Sequence, residues 1–208
     1  MELDRLRQWI GNTERVEDYL DPRRCAQLAG ALDSATPYEP GHPLPLPWHW
    51  VFFNPVPTAS ATGEDGHPAR GAFLPPVSLP RRMWAGGRVR LEKPLAIGDR
   101  AARESVITRV DEKEGRQGSL LFVCVEHRYF NAAGDLALIE EQDIVYREAA
   151  AGVGQQRAVY QPDVASQWRR TVDPDAVLLF RYSALTYNAH RIHYDRDWAV
   201  EREGYPGL

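Results

Sequence analysis

Cysteine is scarce in this 208-residue chain: only Cys25 and Cys124 occur, and they form no CxxC pair. That excludes a disulfide framework and a Cys-based zinc site, and it points to a reducing compartment, so a cytoplasmic location is expected. No stretch supplies the roughly 18 apolar residues of a membrane span, and the amphipathic opening MELDRLRQWIG has no apolar h-region. A basic excess is also missing. With 25 Lys and Arg against 29 Asp and Glu, the net charge of -4 argues against nucleic acid or an anionic membrane surface as partner. Gly86-Gly87 lacks the spacing of a dinucleotide or phosphate cradle, and no GxSxG elbow accompanies Ser183. No cofactor is expected.

What is present falls into three stretches. Leu3 to Leu20 and Asp21 to Leu32 carry apolar residues at helical spacing, and Asp21-Pro22 supplies an N-cap followed by proline at the first helical position. Two short opening helices are therefore expected. Tyr38 to Pro80 is rich in Pro, Gly and Thr around the aromatic run Trp48 to Phe53, and reads as a long structured loop with one short strand. From Gly87 onward, Arg88 to Leu91, Ala101 to Asp111, Leu120 to Asn131 and Leu136 to Arg147 alternate or are β-branched. The turn signals Ile97-Gly98-Asp99, Glu114-Gly115-Arg116 and Ala133-Gly134-Asp135 separate them. They predict an antiparallel meander. Glu148 to Arg157 looks like a connector, after which Leu178 to Ser183 is expected as a new strand and Asp195 to Arg202 as a helix.

The chemistry concentrates in Phe180 to Asp195, FRYSALTYNAHRIHYD. Adding water to an enoyl thioester needs one group to take a proton from water at the β-carbon and another to return one at the α-carbon. It also needs donors for the enolate-like oxygen. Histidine suits the first two tasks because its ordinary pKa, about 6.5, lies near working pH. His193 and His190 are thus candidate acid/base groups, and Asn188 can orient water through its amide oxygen. Backbone N–H groups at a helix N-terminus can receive the developing charge.

This stretch resembles the motif of R-specific enoyl-CoA hydratases and MaoC-like dehydratases. There an Asp is followed by an Asn two residues on and a His five residues on, then by a helix with a small residue. On this chain those places fall on Asn188, His190, His193 and Ala199. Asn188 stands where the family has Asp, which shifts the main acid/base burden to His193. The form Asn-x-His-Arg-Ile-His is closest to the branch of type 2 hydroxyacyl-thioester dehydratases and mesaconyl-CoA or itaconyl-CoA hydratases. Phe73 to Gly87, FLPPVSLPRRMWAGG, is similar to the N-terminal signature of that branch, and Pro94 to Asp99 resembles the strand-turn entry of its sheet.

The resemblance implies an α+β double hot-dog fold. Residues 1–150 would form a non-catalytic N-terminal hot-dog domain, and 151–208 the start of the catalytic one, cut short. An oxyanion-hole glycine is expected further along than Leu208. The implied substrate is an acyl-CoA or acyl-carrier-protein thioester, and by analogy a homodimer is expected.

Arg81 and Arg82, with Arg88 and Arg90, can pair with the phosphates of such a substrate or line a solvated strand face. Trp84 can line an acyl tunnel or pack beneath the Gly86-Gly87 turn, and Tyr187 adjoins the motif. His190, His193 and Asp195 at HxxH spacing can also read as metal ligands, but further ligands are lacking and no metal is expected. Asn188 can equally be a turn residue. The rival functions are a hot-dog thioesterase, or an acyl-thioester-binding subunit without activity.

Overall fold

The computed structural model describes residues 2–115, 118–148, 165–167 and 169–208. Five antiparallel strands form one sheet: β1 (Thr13–Tyr19), β2 (Arg81–Leu91), β3 (Arg100–Gly115), β4 (Gly118–Phe130) and β5 (Leu136–Arg147), in the order β1-β3-β4-β5-β2. The expected four-strand meander holds for β3-β4-β5, but β2, which contains its expected first strand Arg88 to Leu91, pairs with β5 instead of β3, and β1 takes the place beside β3. Helix α2 (Pro22–Ala31) starts as its sequence requires, with the Arg23 N–H donating to the Asp21 carboxylate at 3.0 Å, and it buries Cys25, Leu28 and Ala29. No helix among the described residues is long and apolar enough to cross a membrane. The expected connector, Glu148 to Arg157, lies almost wholly outside the described residues.

Alternation along β4 places Leu121, Val123, Val125, His127 and Tyr129 on one buried face. Two apolar clusters share that face. One, built on Leu20, Leu28, Phe52, Phe53, Ile97 and Leu138, lies under α2, and the other on Ile107, Val110, Val123, Ile144 and Tyr146. Between them sits a buried polar network. Glu140 accepts from Trp50 Nε1 at 2.9 Å and from the Tyr129 hydroxyl at 3.0 Å, and its Oε2 is 3.1 Å from His49 Nε2. Nearby, His127 Nδ1 is 2.8 Å from the Ser105 hydroxyl. Burial alone would raise the Glu140 carboxyl, but the bonds from His49 and Trp50 hold it below its ordinary value.

Three further expectations are corrected. The helix expected over Leu3 to Leu20 is a short α1 (Glu2–Arg7) followed by β1, because Gly11 at φ 88° turns the chain out of the helix and Thr13 to Tyr19 alternates in burial against β3. The aromatic run expected to hold a strand is instead a 3-10 turn, Trp48–Val51. The strand expected over Leu178 to Ser183 is α3 (Ala176–Leu185), with the Leu178 N–H donating to the Asp175 carboxylate at 2.8 Å. α3 packs on α2, and Leu185 joins the first apolar cluster. The last helix, α4 (Arg196–Glu201), falls where expected.

Candidate active site

The chain leaves α3 through Thr186 and then Tyr187, whose φ of 50° turns the backbone sharply. The Asn188 N–H caps the helix end by donating to the Ser183 carbonyl at 2.9 Å. The Asn188 side-chain oxygen in turn accepts the His190 N–H at 3.1 Å, an Asx turn that sets up the 3-10 turn Arg191–His193. Asp195 closes the unit: it accepts the Trp198 N–H at 3.0 Å to cap α4, and takes Arg191 Nε and Nη2 at 2.9 and 2.6 Å. Ala199, the small helical residue, is fully buried. Asn188, His190 and His193 thus share one tight turn, with His190 buried and the other two exposed.

A loop from the long irregular region, 63–71, docks onto this turn. The Arg191 N–H donates to the Asp65 carbonyl at 3.0 Å, and Gly66, at φ 87°, lies so close to Ala189 that a β-carbon there would sit 1.8 Å from its carbonyl oxygen. The Asp65 carboxylate holds His67 twice, through the backbone N–H at 3.0 Å and through Nδ1 at 3.0 Å. The His67 ring faces that of His190 at 3.9 Å between centroids, tilted by 37°, and His193 lies edge-on to His190 at 5.5 Å.

Three imidazoles this close cannot all carry charge. Burial, then the charges of His67 and His193, push His190 down to about 3. Burial and His67 also lower His193. Burial lowers His67 against the pull of Asp65, and the bond from His67 holds the Asp65 carboxyl well below the usual carboxylate range.

The expected substrate-binding residues are dispersed. Arg82 lies close enough for its charge to act on His67, His190 and Tyr146. Arg81 instead ties down the end of α4, donating to the Arg202 and Glu203 carbonyls at 3.0 and 3.3 Å and pairing with the Glu203 carboxylate at 3.4 Å. Arg88 pairs with Glu141 and Arg90 with Glu92 on the exposed side of the sheet. Trp84 is 60% exposed, edge-on to Trp50 at 6.2 Å, and its indole covers Gly87. Tyr187 is 58% exposed.

Among the described residues the ligand-like group is Asp65, His67 and His190, with ligand atoms within 4.8 Å of one another. Asp195, expected as a possible ligand, is taken up by Arg191 and the α4 cap. Sequence reasoning missed Asp65 and His67, since Asp-Gly-His-Pro in a Gly- and Pro-rich stretch carries only a turn signal.

Residues 47–208 match the family model of hydroxyacyl-thioester dehydratase type 2. The chain belongs to that family. It is 49% identical over 207 residues to a mesaconyl-C(4)-CoA hydratase of Chloroflexus aurantiacus, covering 96% of this chain and 71% of the relative. A mitochondrial hydroxyacyl-thioester dehydratase type 2 of Schizosaccharomyces pombe is 26% identical over 185 residues, with 77% and 60% covered. Among solved structures, a MaoC-like dehydratase superposes with a TM-score of 0.66 at 14% identity over 98% of this chain and 73% of that one. HtdX of Mycobacterium tuberculosis gives 0.51 at 18% identity over 94% and 69%. The fold of this family member is thus an α+β hot-dog of the MaoC-like kind.

Proposed function

We propose that the chain is a hydro-lyase that reversibly hydrates 2-enoyl thioesters, with an acyl-CoA of the mesaconyl type or an acyl-carrier-protein thioester as substrate. The observation that carries this is the turn 188–193, which presents the exposed ring of His193 and the exposed amide of Asn188 beside a buried imidazole. His193 is the general acid/base and Asn188 positions water. His190, held at about 3, stays neutral throughout the working range, so it assists by hydrogen bonding and packing without exchanging a proton. Membership of the family and the names of its two relatives support the reaction class.

The same reading divides the chain near residue 150 into an N-terminal hot-dog unit that does not carry the motif and a segment that brings it. It assigns Arg82, Trp84 and Tyr187 to the substrate side, and Arg81 more weakly because its donors are engaged. A cytoplasmic location accords with two free cysteines. A homodimer is retained, although one solved neighbour, the ChsH1-ChsH2 complex of Mycobacterium tuberculosis, pairs two different chains. Light scattering of the purified chain distinguishes the two.

The function is tested by following loss of the enoyl absorbance of crotonyl-CoA and mesaconyl-CoA. His193→Ala is expected to lower the rate by about 10²- to 10⁴-fold. Release of free CoA thiol with the enoyl group intact would replace this reading with a thioesterase, and thermal stabilisation by the ligand without turnover would leave a binding subunit.

A further inference from the structure

Asn188 carries no charge, so the turn 188–193 lacks the carboxylate that a strong base of this kind would use. A carboxylate is nevertheless present. Asp65 reaches the turn from the docked loop, with its main chain bonded to Arg191 and both side-chain oxygens committed to His67. Because Asp65 is ionised, the 3.0 Å contact at Nδ1 needs a proton on that nitrogen, which leaves Nε2 of the neutral ring with its lone pair free. No described residue hydrogen-bonds to that Nε2, and the His67 side chain is 22% exposed. Such an orientation suits a general base whose imidazolium is stabilised as it forms.

We infer that His67 is a second acid/base residue of the hydratase site, with Asp65 as its positioning residue, so that a loop distant in sequence supplies the charge that Asn188 lacks. This rests on the function proposed above. In the hydration direction, His67 Nε2 takes a proton from water as the water oxygen bonds to the β-carbon. The π pair moves toward the thioester oxygen, and protonated His193 delivers its proton to the α-carbon. The proton gained by His67 passes to solvent, and His193 regains one from solvent, so H and OH are added with no net change in the protein. Dehydration reverses each step.

The test compares the chain with His67→Gln, Asp65→Asn and His193→Ala, measuring kcat, KM and the pH profile of crotonyl-CoA hydration. His67→Gln is expected to lower kcat about 10²- to 10³-fold, with KM changed by only a few-fold. Asp65→Asn keeps an oxygen for the Nδ1 proton but removes the charge, so kcat falls and the acidic limb of kcat/KM moves to lower pH. The sign follows from Asp65 raising His67 while burial, Arg82 and Arg70 lower it; on the facing turn His190 stays neutral, and a proton on His193 acts in the same direction as the arginines. A merely structural Asp65 would not move that limb. If His67→Gln fails to fold, the Asp65→Asn shift and the His67 tautomer, read by nitrogen NMR as protonated at Nδ1, decide the matter. Wild-type kcat and pH profile in both variants, with His193→Ala still inactive, overturns this inference alone. No hydration by the unmodified chain overturns both. Activity lost on EDTA dialysis and restored by Zn²⁺ overturns it in favour of an ion held by Asp65, His67 and His190.

Discussion

A single methyl group at Gly66 tests whether the loop must sit where it does. Gly66→Ala places a β-carbon 1.8 Å from the Ala189 carbonyl oxygen, 2.6 Å from its carbon and 3.2 Å from the His190 Cα, all of them backbone atoms that cannot swing aside. Carbon and oxygen normally approach no closer than about 3.3 Å, so loop and turn must separate by roughly 1.5 Å. That displacement breaks the 3.0 Å bond from Arg191 to Asp65, worth about 1 kcal/mol, on top of about 1–2 kcal/mol for holding alanine at φ 87°. Together these lower the Tm by roughly 5–10 °C for a chain of this size. Gly11→Ala is the control: its φ is 88° but nothing lies within 4 Å, so it pays the backbone strain alone. Thermal unfolding and crotonyl-CoA hydration are measured on both. Gly66→Ala is expected to lose about 10²-fold in turnover, the usual penalty for a misplacement near 1 Å, while Gly11→Ala keeps full activity. Equal melting and undiminished turnover in the two variants would refute the docking of the loop against the motif.

Removing Glu140 strands His49, Trp50 and Tyr129, so Glu140→Ala is expected to cost about 3–5 kcal/mol in urea unfolding. Its neighbour Glu141, exposed and paired with Arg88, is expected to cost less than about 1 kcal/mol by the same measurement. Acid weakens the fold through histidines buried in the neutral form. His127 and His190 are held at about 4 and about 3 against an ordinary 6.5, so below pH 6.5 the unfolded chain binds protons that the native state does not. Stability is expected to fall by roughly 2–4 kcal/mol between pH 6.5 and 5, and a flat urea midpoint over that range would contradict these environments. Asp195→Ala removes both the α4 cap and the Arg191 partner and is expected to cost about 1–2 kcal/mol, read as a lower Tm, with activity falling as the turn 191–193 loosens.

Local chemistry determined much of this protein. Alternating β-branched residues set out β3, β4 and β5, Asp21-Pro22 marked the start of α2, and Asn188, His190 and His193 drew attention to the segment that folds into one tight turn; each signal acts within a few residues of itself. α3 escaped because Val177 to Phe180 is apolar on all sides, so neither a period of two nor of 3.6 shows, and only its place on α2 makes it a helix. β1 escaped because its partner, β3, lies about ninety residues further on. The meeting of Asp65 and His67 with His190 belongs wholly to the tertiary structure. More than a hundred residues separate the two segments, and the backbone fit at Gly66, which no local preference encodes, decides that they touch.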